Sequence, residues 1–493
     1  MRRIQSIISI MISTLLIISV ITCNSIESDN PSPHIGEGPA FRHHLNQADI
    51  ENRTLTLKDL LSTGELLMKA SFNTLDGAGR PSSTGTGDSR ESRDSPENFN
   101  RISGPDANSC AGCHNMPGVG GGGDNVANVF VLGQRLPFID FDGGQGDDFE
   151  EHTLSTVANE RNTLGMFGSG YIELLAREMT SDLLDIRTQA LQESKITGTQ
   201  VTKTLITKSV FFGKIIAHPN GSIDTSMIEG VDTDLIIKPF HQKGAVISLR
   251  QFTNNAMNHH HGIQSAERFG LDLDPDSDGI VNELTVGDIT AITVFQATLP
   301  VPGRVFSKDP KTSAAIKKGD RLFSDLGCIT CHIPELPLYD PIFTEPNPFN
   351  PPGNLRVQDV THSFSVDLTK EGPQPLLRRN SDGVVMVPAF TDLKRHDMGE
   401  MLNNEKLKQG NIPTEEWLTR KLWGFVSEPP YMHHGRATLI SEAILMHGGA
   451  AKPYRDAFTS MSLEDQSALI EFLETFQVLP DSASELTIFA ESN

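Results

Sequence analysis

Two short stretches share one pattern with chemistry in it: Cys110-Ala111-Gly112-Cys113-His114 and Cys328-Ile329-Thr330-Cys331-His332. Two thiols three positions apart can add across the two vinyl groups of one haem. The histidine that follows directly is then held beneath the iron as an axial ligand. A thioredoxin-type redox pair would follow a strand of a βαβ unit and would need no histidine. A four-cysteine zinc site spanning both halves would leave both histidines unexplained. The expectation is therefore two covalently bound c-type haems. One sits on Cys110, Cys113 and His114, the other on Cys328, Cys331 and His332. These motifs use four of the five cysteines in the 493 residues, so no disulfide framework is expected.

The remaining cysteine, Cys23, ends an apolar run that begins at Ile4 behind the basic Met1-Arg2-Arg3. Charge followed by hydrophobicity is an export signal. Val20-Ile21-Thr22-Cys23 resembles a lipoprotein cleavage box, with Thr22 where a small residue is usual. A periplasmic or outer-surface protein anchored through lipid on Cys23 is expected, against plain cleavage or an uncleaved anchor. No comparable apolar run follows, so that anchor is the only membrane contact expected. The formal charge of −22, from 41 basic and 63 acidic residues, argues against nucleic acid as a partner. It is compatible with steering a basic electron carrier.

The elements that must position the motifs are legible in part. Residues 24–55 are polar and read as a tether. A helix follows over Leu57–Leu67, then a Gly/Ser/Arg-rich loop over 74–96. "TGELLMKASFN" (63–73) and "KKGDRLFSDLGCITCH" (317–332) each place a Gly and an apolar pair at helical spacing ahead of a motif. Gly120 to Gly123 let backbone approach a porphyrin. Residues 128–134 and 235–239 read as short strands, and 163–179 as a loop entering an amphipathic helix. Residues 339–356, rich in Pro and Asn, form an irregular excursion. The final helix is capped by Ser462, with Asp465 three residues on. Its apolar stripe is Leu463, Leu469, Ile470, Leu473 and Phe476.

Asp274, Asp276 and Asp278 with Gly279 match the first half of a calcium loop. Position twelve is Thr285, so Glu283 would have to supply the last ligand, and the alternative is an acidic turn. Trp417 and Trp423 lie beyond the second motif. Either could carry electrons between haems, though core packing is the simpler expectation.

Pro430-Tyr431-Met432-His433-His434-Gly435-Arg436 and "SEAILMHGG" (441–449) resemble the C-terminal haem domain of bacterial di-haem cytochrome c peroxidases. They are closer still to the related di-haem oxidoreductase family. The likeness extends over "SGPDANSCAGCHN" (103–115), "ERNTLGMFGSGYIELLARE" (160–178), "LKRHDMGE" (393–400) and "RKLWGF" (420–425). The resemblance implies a sixth ligand for the second haem fourteen residues after His433, which is His447, with Met446 as the alternative one residue away. His434 stands where those relatives have Asp, and both turn histidines are expected to be structural. His396 is a fallback ligand. The relatives also lay a segment like 248–270 over the first haem and bring an acid to its distal pocket. Here the matching position is His260, flanked by His259 and His261. Histidine can move the same proton. Glu173 is a second distal candidate, and Arg161 a group to polarise an O–O bond. The calcium that such peroxidases usually hold supports the 274–283 reading.

The expected fold is mainly α: two cytochrome c-like haem domains with long irregular loops and minor β. The signal would cover 1–23, the tether 24–55, and the domains 56–300 and 301–485. The expected function is an exported di-haem c-type oxidoreductase, peroxidase-like. It would pass electrons from a small redox protein, through the C-terminal haem, to a reactive N-terminal haem that meets peroxide or a small-molecule oxidant. The alternatives are a non-catalytic electron-transfer protein and an oxidase that modifies a partner protein.

Overall fold

The computed structural model describes residues 36–79, 107–129, 159–275, 278–405 and 408–490. The expected signal and Cys23 lie outside them, as does most of the 74–96 loop. From Pro39 to Asn493 the chain is one compact unit. Within the stretch read as a tether, Phe41 and Ile50 are buried. The Leu45 amide donates to Asp288 Oδ1 at 2.9 Å.

The helices that matter to the motifs are α1 (Leu57–Lys69), α2 (Ser169–Thr197), α3 (Leu249–Ala256), α4 (Val286–Ala297), α5 (Pro310–Asp325), α6 (Ile440–Leu445) and α7 (Leu463–Leu473). Thr56 and Asp59 cap the start of α1 reciprocally, and Thr285 and Asp288 do the same for α4. Helix α4 is buried on nearly every side, which makes it the spine of the N-terminal half.

The two glycines that precede the motifs have one job. Gly64 of α1 lies on α4, where an added Cβ would fall 2.4 Å from the Ala291 carbonyl oxygen and 2.6 Å from Phe295 Cβ. Gly319 of α5 lies on α7, where a Cβ would fall 1.9 Å from the Ala468 carbonyl oxygen and 2.7 Å from Phe472 Cβ. Each crossing sets a glycine against an Ala and a Phe four residues later. The repeat seen in sequence is thus a repeated helix contact that tolerates no side chain.

Between the helices the chain is not mainly α. Of the described residues 36% are helical and 17% are strand, with 11 helices and several small sheets. The expectation of two mainly α, cytochrome c-like haem domains is therefore corrected to a mixed α/β structure; the arrangement shows no haem-domain fold. The physical reason lies in segments with a two-residue period. β1 (Gly123–Val129) pairs antiparallel with β2 (Asn159–Thr163). β3 (Val201–Thr207) and β4 (Val210–Ala217) form a hairpin turned at Lys208 and Ser209, both with positive φ. β5 (Arg395–Asp397) pairs with β6 (Glu416–Leu418). Residues 235–239, read as a strand, are irregular. The amphipathic helix expected near 163–179 runs on to Thr197.

Gly64→Ala and Gly319→Ala should each destabilise the fold by about 2 kcal/mol or more, because the new methyl meets backbone rather than a mobile side chain. Chemical denaturation of each variant beside the parent measures this.

Candidate functional site

His114 follows a single helical turn, Cys110–Cys113, and its amide closes that turn on the Cys110 carbonyl at 2.8 Å. Its Nδ1 lies 3.1 Å from the Gly121 carbonyl oxygen. A carbonyl only accepts, so Nδ1 carries the proton and Nε2 keeps its lone pair. The glycine run makes this possible. A Cβ on Gly121 would fall 1.9 Å from the Met116 carbonyl oxygen, and one on Gly123 would fall 2.0 Å from that of Cys113. Those glycines fold the loop back on the motif itself.

The second motif repeats the device. His332 Nδ1 lies 3.1 Å from the Phe390 carbonyl, and His447 Nδ1 lies 2.8 Å from that of Ala443. Burial holds His114 down at about 4. Burial and the neighbouring His447 hold His332 at about 4, and burial lowers His447 as well. All three imidazoles are neutral near pH 7, the form that binds metal.

The His332 and His447 rings face one another with centroids 6.5 Å apart. A metal–imidazole bond is about 2.0–2.1 Å and the ring centre lies about 1 Å behind the nitrogen, so two imidazoles on one ion need roughly 6–6.5 Å. The spacing fits one iron between them. Both rings line a largely apolar cavity with Cys328 and Cys331. Met446 packs instead against the C-terminal hydrophobic cluster.

Around His114 lies a second cavity, bordered by Cys110, Cys113, Arg161, His241, His260 and His261. A third shares His114, His241 and Gln242 with it. Gln242 borders all three spaces and so stands between the two motifs.

The sequence-derived distal candidates fare differently. His260 borders the first cavity from a π-helical turn, Met257–His261, in which the three rings fan apart. Arg161 borders it too. Its guanidinium is ion-paired with Glu405 and donates to Gln409 Oε1 at 2.9 Å, while Nε has no partner. Glu173 is elsewhere, fully buried. It accepts from the Leu249 amide and from Asn347 Nδ2, each at 2.7 Å, and pairs with Arg177. It ties α2 to the start of α3 and to the 339–356 excursion.

Of the calcium candidates, Asp276 lies outside the described residues. Asp274 accepts from the Asp278 and Gly279 amides. Glu283 is buried and accepts from the Gln264 amide at 2.7 Å. Among the described residues, the His/Cys/Asp/Glu group close enough to share an ion is Cys331, Asp392 and His396.

His241 had no motif to mark it. Because Arg161 donates to Gln409 Oε1, the Gln409 amide nitrogen faces outward and donates to His241 Nδ1 at 3.1 Å. His241 Nε2 therefore carries a proton. Burial holds this ring at about 3.

Trp417 is more than core filling. It stacks on His433 at 3.7 Å, donates to the Leu402 carbonyl, and lies under Lys243 Nζ at 3.8 Å and Arg161 at 5.3 Å. Trp423 is buried in the main core. His433 and His434 serve the turn. The first bonds Asn404, and the second accepts from the Arg436 amide.

Residues 362–476 match the family described as "di-haem oxidoreductase, putative peroxidase". The resemblance read from the sequence thus holds over the region that carries His396, Trp417, His433 and His447. Among solved structures, the chain is similar to one of Kuenenia stuttgartiensis hydrazine synthase, at 13% identity and a TM-score of 0.37. That similarity covers 90% of this chain and 97% of the other. No curated protein matches the chain.

Arg161 and Glu405 are 6% and 3% exposed. Glu405→Gln leaves a buried guanidinium without its charge partner and should destabilise the protein by about 3 kcal/mol. Exposed Glu65→Gln should cost no more than about 0.5 kcal/mol. Parallel denaturation curves test the contrast.

Proposed function

We propose that this chain is an exported c-type di-haem oxidoreductase with peroxidase-like activity. The observation that carries the reading is the pair of opposed, neutral imidazoles, His332 and His447, beside Cys328 and Cys331. It is joined by a second cavity in which His114 meets groups suited to proton transfer. When bound, two haems would supply one-electron chemistry at iron.

The chain's own residues divide the work. At the second site His332 and His447 would together hold the iron of a bound haem, which would suit electron passage over substrate binding. At the first site His114 would hold the iron of a bound haem, while His241 presents an Nε2–H that can donate to an oxygen in the cavity. His260 takes a proton from one peroxide oxygen and returns it to the other. Arg161 Nε adds a fixed positive charge at the same cavity. Electrons enter at the C-terminal site, delivered by a small redox protein, and move to the N-terminal site past Gln242 and Trp417. Export and lipid anchoring at Cys23 rest on the N-terminal charge and apolar pattern. A calcium ion at 274–283 rests on the spacing of the Asp oxygens.

Holoprotein from a host with c-type haem maturation should show one low-spin, six-coordinate haem and one that changes spin state on adding peroxide. His447→Ala should convert the low-spin signal to high spin, and Met446→Leu should leave it unchanged. His260→Ala should lower peroxide turnover by about 10²-fold with both haems retained. Two haems that stay low-spin in every redox state, with no peroxide turnover, contradict the enzyme reading.

A further inference from the structure

A haem carries its two vinyl groups on one edge and its two carboxylates on the edge opposite. Once sulfur holds the vinyl edge, the direction of the carboxylates is set. Around His114 the walls divide in the same way. One cavity borders both Cys110 and Cys113, whereas its neighbour borders His114 and neither cysteine. That neighbouring wall offers Arg420 and Lys421 instead, and no Asp or Glu is among the described residues that line it.

Both cations are held in place by the chain. Lys421 Nζ donates to the Phe167 carbonyl at 3.1 Å and to the Trp423 carbonyl at 3.3 Å. Those bonds fix the ammonium without pairing its charge. Desolvation pulls it down to about 8, against the field of Glu428, so it is still charged near pH 7. Arg420 Nη2 donates to Glu428 Oε2 at 2.8 Å, and the same oxygen accepts from the Gly165 amide at 3.0 Å. This pins the guanidinium to the loop that enters α2. One carboxylate thus stands against two cations, and charge withdrawn from water without a partner is costly. The wall carries one positive charge in excess. Arg420 also lines the cavity of Cys328, Cys331, His332 and His447, which Lys421 does not border.

We propose that Arg420 and Lys421 seat the carboxylates of the N-terminal haem, and that Arg420 lends its charge to both haem sites. Carboxylate on ammonium and guanidinium gives charge-assisted hydrogen bonds. A fixed positive charge near an iron favours the reduced form, the less positive of the two. Arg420 therefore raises both potentials. Lys421 raises that of the N-terminal haem alone, which favours electron flow toward it.

This rests on the two-haem reading, and one experiment separates the two. Holoprotein from a host with c-type haem maturation is titrated spectroelectrochemically, the low-spin His332–His447 signal marking the C-terminal haem. Lys421→Gln keeps an N–H donor for the two carbonyls but no charge. It should lower the ratio of reduced to oxidised N-terminal haem about tenfold at a fixed potential, a fall of about 59 mV in midpoint. The C-terminal haem should not move. Lys421→Arg should keep the parent value, and Arg420→Gln should lower both haems. Unchanged potentials in the two glutamine variants overturn the proposal. So does a Lys421→Arg shift as large as that of Lys421→Gln, or a Lys421→Gln shift shared equally by both haems. Parent protein without covalently bound haem would overturn the two-haem reading itself.

Discussion

The structure turns on a hydrogen bond from an imidazole Nδ1–H to a backbone carbonyl, made three times: His114 to Gly121, His332 to Phe390 and His447 to Ala443. Each bond fixes a tautomer and aims a lone pair at one point. Burial keeps the rings neutral, so the lone pair is free near pH 7. Much of the surrounding architecture supplies those carbonyls: a glycine loop folded back on its own motif, the irregular chain at Phe390, and the turn that ends α6.

The halves are joined by polar contacts as well as by apolar packing. Glu405 and Gln409 come from the C-terminal half but bind Arg161 on β2, and Gln409 also sets His241. Trp417 of β6 stacks on His433 and lies beneath Arg161 and the buried Lys243. Lys243 in turn donates to three backbone carbonyls at 2.7–2.9 Å. A cluster of this kind makes the environment of the first cavity depend on the position of the C-terminal segment.

The motifs were legible because their chemistry is local: Cys, Cys and His lie within five residues, and Gly64 and Gly319 stand at fixed distances ahead of them. His447 was legible through its likeness to related chains. His241 was not legible and His261 was legible only as a neighbour of His260, because their partners Gln409 and Ala107 lie 168 and 154 residues away in sequence. Glu173 was read as a distal acid from its helix position. Its neighbours Leu249 and Asn347, which claim both carboxylate oxygens, become visible only in three dimensions. The mixed fold was missed for a related reason. The Val201–Ala217 hairpin alternates buried and exposed positions, but its residue types do not: Leu205-Ile206 and Phe211-Phe212 put apolar side chains on both faces.

The most direct test of the account is anomalous X-ray scattering at the iron edge from crystals of the holoprotein. Two iron positions are expected per chain, one between the Nε2 atoms of His332 and His447 and the other on Nε2 of His114. A single metal position shared by the four motif cysteines, or an iron not bound by His447, would contradict it.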